Sequence, residues 1–168
     1  MENGANITDN EILKETAALL EKNDEAADEA INHRLNELDE FEAECQEEER
    51  NSYELLEEAR NAESNALALL HVAELTLAAA YASENPAYIA ADKAFHAAAK
   101  AYYETCVKNR ELMEKRYAMA QECLTRARHL AEDTEHRLHK EKREYREVLQ
   151  QGRRRLRKNK RLTDSYLH

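Results

Sequence analysis

The sequence predicts an all-α protein, an elongated antiparallel helical hairpin or coiled coil that turns near residues 83–86. Three observations carry this prediction: a near absence of turn residues, a single proline close to the midpoint, and a seven-residue apolar rhythm in the second half. The 168-residue chain holds 2 Gly, 1 Pro and no Trp, and 36% of it is charged. Sheets need turns rich in Gly, Pro and Asn, whereas Ala, Glu, Leu and Arg favour helix. Much of the 42% apolar content is alanine, and two Phe accompany eight Tyr. Side chains of this size suit narrow helix-to-helix seams better than a thick globular core, hence the elongated expectation.

Taken in order, residues 1–8 read as a disordered leader. Thr8 with Glu11 three residues on has the spacing of a capping box, so a helix should start near Asp9. Asn23 and Asp24 side by side offer a local break that would leave residues 9–22 as a short extra N-terminal helix. From Asp24 to Ser83 nothing stops a helix, so the first arm covers residues 9–83. In SENPA, residues 83–87, Ser83 and Asn85 are cap candidates and Pro86 takes a first helical position, where its missing N–H is harmless. The second arm, residues 86–151, continues to the next breaker, Gly152, and residues 152–168 form a basic C-terminal extension. Two nearly equal arms joined by a short turn must run antiparallel, so the chain reads as one helical domain.

The second arm carries the clearest seam. Met113, Tyr117, Ala120, Leu124, Ala127, Ala131, Thr134, Leu138, Glu141, Tyr145 and Val148 alternate steps of four and three, the spacing of a coiled-coil stripe. In the first arm Ile31, Leu35, Leu38 and Cys45 keep this rhythm, and Leu56, Ala59, Ala66, Leu70, Ala73, Leu77 and Ala80 resume it. Glu42, Glu49 and Ser52 stand at seam positions in between. That polar stretch is expected to be loosely packed or reserved for another chain.

Charge is segregated. Residues 1–64 hold 21 acidic and 5 basic side chains, whereas residues 108–168 hold 18 basic and 10 acidic. In a hairpin the acidic arm lies beside the basic one, which favours this pairing over parallel self-association. The densest basic run, RRRLRKNKR, contributes Arg153, Arg154, Arg155, Arg157, Lys158, Lys160 and Arg161. It suits phosphate backbones, but the chain as a whole is net −10 and the run lacks interleaved aromatics, so nucleic-acid binding is the alternative reading. Mutual pairing of the two charge blocks is the simpler one.

Other motifs are weaker. His129, Glu132, His136 and His139 recur at steps of three, four and three on one helical face, which gives a third reading as a metal-binding bundle. The second Glu-x-x-His motif and the further carboxylates of a di-iron bundle are missing. Folding about residue 84 brings His71 level with His96, and Cys45 level with Cys123. The cysteines then serve either as small buried thiols or, if they touch, as a redox-sensitive clasp. With three Cys and no CxxC spacing, a reducing compartment is expected. No signal-like leader or apolar run of about 20 residues stands out, so a cytoplasmic protein with no membrane span is expected, leaderless export being compatible.

Glycines at positions 4 and 152 alone leave no phosphate-binding loop, and there is no nucleophile motif. No enzymatic activity and no cofactor are expected. The most informative region surrounds the turn. Seventeen alanines lie between residues 59 and 101, and ALALLHVAELTLAAAYA is apolar around more of its circumference than one seam covers. Leu70, Leu77, Tyr81, Tyr88, Phe95 and Tyr102 are the candidate partner-binding residues. The expected function is therefore a protein-binding adaptor, chaperone or assembly component, with self-association into a bundle as one way to cover the surplus. Because long helical hairpins recur in secretion systems, a narrower expectation places the chain beside a secreted effector of a bacterial delivery system.

Overall fold

The structure, a computed structural model, describes the backbone of residues 5–166. Its described side chains run from Lys14 to Leu162, apart from those of residues 16, 17, 20 and 160. Two helices, α1 (Ala5–Ala82) and α2 (Pro86–Tyr166), pack against each other as a hairpin, with no strand among the described residues.

The helix boundaries depart from expectation at three places. Residues 5–8, read from sequence as leader, are helical; residues 1–4 and the side chains of Thr8 and Glu11 lie outside the described residues. α1 passes through Asn23 and Asp24 without a break, so there is no separate N-terminal helix. Interior Asn and Asp each cost only about 0.6 kcal/mol relative to Ala, and Asp24 lies 3.9 Å from Arg146 of α2. Likewise α2 continues through Gly152. One glycine costs about 1 kcal/mol, which a long cooperative helix absorbs.

The turn forms where the proline places it. The Ser83 N–H donates to the carbonyls of Ala79 and Ala80 at 3.0 and 3.2 Å, closing α1. Glu84 follows with φ of 54°, the left-handed conformation that reverses a chain after a helix. Asn85 caps α2: its Oδ1 accepts the Ala87 N–H at 3.0 Å, and its carbonyl accepts the Ile89 N–H at 3.0 Å.

Between the helices runs a seam with one small and one larger residue per heptad. On α1 every seventh residue from Leu38 to Ala80 is buried: Leu38, Cys45, Ser52, Ala59, Ala66, Ala73 and Ala80. On α2 the matching series is Ala99, Cys106, Ala120, Ala127 and Thr134, with Met113 half-buried. The other seam position carries larger groups, including Glu49, Glu63, Leu70 and Leu77 on α1 and Tyr103, Arg110, Tyr117 and Leu138 on α2. These are half-buried, whereas Leu56 and Leu124 at the same position are buried, at 2% and 9% exposure. Small buried residues let the two backbones approach, and most of the larger neighbours then lie across the contact rather than inside it.

This arrangement corrects the expected gap at Glu42, Glu49 and Ser52. Ser52 has 0% exposure and its hydroxyl donates to Glu48 at 3.2 Å; Glu42 and Glu49 are half-buried. A second correction concerns the end of the α2 stripe. Glu141 and Val148 are exposed, and Lys142 and Leu149 take the half-buried positions instead. Thr134, Leu138, Lys142 and Tyr145 are thus spaced by four, four and three, an 11-residue period that compensates the drift of a 3.6-residue helix against a strict heptad.

Packing falls into two compact units, each built from both helices. In Glu42–Ala127, cross-helix partners include Cys45 with Cys123, Glu48 with Arg116, Tyr53 with Tyr117, Glu63 with Arg110 and Tyr81 with Lys93. From Cys45 to Tyr81 the α1 numbers rise while their partners fall overall from Cys123 to Lys93, the mark of antiparallel pairing. In the remaining unit, formed by the described residues before Glu42 and after Ala127, Asp28 pairs with Lys142 and Arg146, and Asp24 with Arg146.

Candidate interaction surface

The surface around the turn is built from the seam outward, within Glu42–Ala127. Residues that follow the small seam position meet across one flank: Arg60 reaches Glu114 at 3.9 Å, and the Lys93 ammonium sits 5.5 Å from the Tyr81 ring centre. Residues that precede the larger seam position meet across the opposite flank, where Arg116 binds Glu48 at 2.8 Å. Continuing along that second flank toward the turn, α1 contributes Leu55, Ala62, Leu69 and Thr76, while α2 contributes Tyr102, Phe95 and Tyr88. The flank therefore changes from charged to apolar as it nears residue 84.

Four large side chains on this strip stand open to solvent: Leu69, Tyr88, Phe95 and Tyr102. Tyr88, Phe95 and Tyr102 are spaced by seven residues, which holds them in one row about 10 Å apart along α2. The Tyr102 hydroxyl engages the Cys106 thiol, and this contact raises its pKa above the ordinary phenol value.

The six residues expected to bind a partner separate into two groups. Tyr81, Tyr88, Phe95 and Tyr102 are exposed, whereas Leu70 and Leu77 occupy larger seam positions and are half-buried against α2. Those two leucines hold the hairpin together. Sequence reasoning missed Leu69, with Val72 and Leu75 beside it, all exposed. Its signal was present: Leu69 stands one residue before a seam position, as Phe95 and Tyr102 do.

Arg153, Arg154, Arg155, Arg157, Lys158 and Arg161 are exposed on α2; the side chain of Lys160 lies outside the described residues. His129, Glu132, His136 and His139 are also exposed, and His139 pairs with Glu135 at 3.6 Å. Ten residues of helix spread these four groups over about 15 Å. Among the described residues no group of three or more His, Cys, Asp or Glu side chains is placed to hold a metal ion. His71 turns to Glu74 of its own helix at 3.4 Å, away from the His96 pairing suggested by the fold-back.

The cysteines do meet, with Cys45 Sγ and Cys123 Sγ 3.4 Å apart. Beside them a shallow groove is lined by Glu48, Leu112, Lys115, Arg116, Met119, Ala120 and Cys123. By length and composition α1 also contains one window apolar enough to cross a membrane, 17% of it buried in the hairpin, where the sequence reading expected no span. No protein-family model, curated protein or solved structure matches this chain.

Proposed function

We propose that this chain is a non-catalytic protein-interaction module, an adaptor, chaperone or assembly component, whose partner lays an amphipathic helix along the apolar flank near the turn. The observation that carries this reading is the exposed row of Tyr88, Phe95 and Tyr102 beside Leu69. A row with a seven-residue period matches the side-chain spacing of another helix, and rigid aromatic rings dominate such contacts.

A bilayer is a poorer occupant. The apolar run of α1 carries Glu74, and its seam face is already covered: Ala66, Ala73 and Ala80 are buried at 0%, 0% and 4% exposure. The stretch of α2 that packs there brings Asp92, Lys93 and Lys100, charged groups that are costly within hydrocarbon.

A photo-reactive phenylalanine analogue at Phe95, in the cell from which the chain comes, tests the proposal. A cross-link to a different protein is expected, lost on Tyr102→Glu together with at least tenfold weaker binding. Because Tyr102 is half exposed, that variant should keep the parent's helical circular dichroism. Cross-linking only to a second copy, binding only to lipid vesicles, or no cross-link at all would each overturn the reading.

A further inference from the structure

We propose that Cys45 and Cys123 form a modification site, which a low-molecular-weight disulfide such as glutathione disulfide converts into a covalent bridge between α1 and α2. The sulfur atoms lie 3.4 Å apart on facing helices, and a bridge requires about 2.05 Å. Cys45 packs with Leu124 and Ala127, so the small alanine leaves the helices room to close that gap.

The two thiols differ in a way that assigns their roles. Cys123 is exposed and lines a groove whose wall carries Lys115 and the Arg116–Glu48 ion pair, so an anionic disulfide reaches it first and meets the Lys115 cation there. Cys45 is only 6% exposed, and burial, with the neighbouring Cys123, pushes its thiol up to about 11. It is the thiol that resolves the exchange, not the one that starts it. Cys106 does not compete within the chain, since it stands 17 residues from Cys123 on the same helix, about 25 Å away.

The chemistry balances without further reagents. The Cys123 thiolate, its proton released to water, attacks one sulfur of glutathione disulfide; that S–S bond breaks, and one glutathione thiolate leaves and is protonated. The Cys45 thiolate, formed by loss of its own proton, then attacks the Cys123 sulfur of the mixed disulfide and expels the second glutathione. Two protein thiols are oxidised while one glutathione disulfide is reduced to two thiols. Since burial, with Glu44 and Glu42 nearby, disfavours the thiolate of Cys45, the second step should accelerate as pH rises from 7 to 9.

The full chain is treated with glutathione disulfide, alkylated, and examined by intact mass and peptide mapping. The expected product has lost two hydrogens, carries one cross-link between Cys45 and Cys123, and keeps one alkylated thiol, on Cys106. Its thermal midpoint should rise on the order of 10 °C, reversibly with reductant, because the bridge closes a long loop. Cys106→Ser should retain the cross-link, and Cys123→Ser, at an exposed position, should lose it without changing the midpoint of the reduced chain. Three alkylatable thiols after oxidation, glutathione retained on Cys123 as the end product, or a Cys123-linked dimer as the main species would overturn the proposal.

Discussion

Asn85 does more for the turn than Pro86. The proline supplies a fixed φ, but the side chain of Asn85 satisfies the Ala87 N–H, and its own N–H donates to the Ser83 hydroxyl at 3.3 Å. Ser83 in turn donates to the Ala80 carbonyl at 2.7 Å, so three consecutive residues link the end of α1 to the start of α2. Asn85→Ala should therefore cost about 1 kcal/mol and lower the thermal midpoint by about 2–4 °C, read by circular dichroism. An unchanged midpoint would show that the cap contributes nothing. Both caps and the turn were legible in SENPA, because they depend on neighbours within three residues. The tight burial of Ser52 was not legible: a serine sharing the seam with Glu42 and Glu49 reads as part of a loosely packed stretch or a surface for another chain, and only the facing helix shows that a small side chain is needed there. Its hydroxyl finds Glu48 one turn back, so the polar group is hydrogen-bonded when buried.

At the scale of the helix, the informative quantity is which of the two stripe positions is closed. A heptad pattern names both and ranks neither. Here the small position is shut and the large one mostly half open, Leu56 and Leu124 excepted, so Ala73 at 0% exposure and Leu75 at 72% should respond to substitution in opposite ways to hydrophobic expectation. Ala73→Leu forces the helices apart and should cost about 1–3 kcal/mol, whereas Leu75→Ala should stay within about 0.5 kcal/mol of the parent. Thermal melts of the two variants check this directly; equal losses would refute the assignment of the seam. The same geometry explains why Leu70 and Leu77 belong to the hairpin and Leu69 to its exposed flank. The heptad rhythm already sets Leu70 and Leu77 apart from Leu69 in the sequence, because a shift of one residue turns a side chain about 100° around the helix.

Across the whole molecule, the acidic first arm and basic second arm meet as ion pairs in both packing units, among them Asp28 with Lys142 and Glu48 with Arg116. The Lys142 hydrogen bond holds the Asp28 carboxyl below its ordinary value of 3.8, and Arg116 does the same for Glu48 against 4.5. A depressed folded pKa adds stability that is present above the unfolded value and is lost as pH falls through the folded one. The thermal midpoint should thus hold between pH 7 and about 5 and drop below about pH 4. The double variant Asp28→Asn with Glu48→Gln should fall less steeply, and an identical slope would remove these two pairs from the account. The sequence by itself determined the helical class, the site of reversal, the antiparallel sense and most of the α2 stripe, because helix propensity, capping and charge blocks act over short range or in sum. Only the tertiary structure decided that α1 is unbroken at Asn23 and Asp24, that Ser52 is core, that the stripe shifts to Lys142 and Leu149, and that Cys45 touches Cys123. Each of these depends on what the opposite helix presents at that height, to within a fraction of a turn.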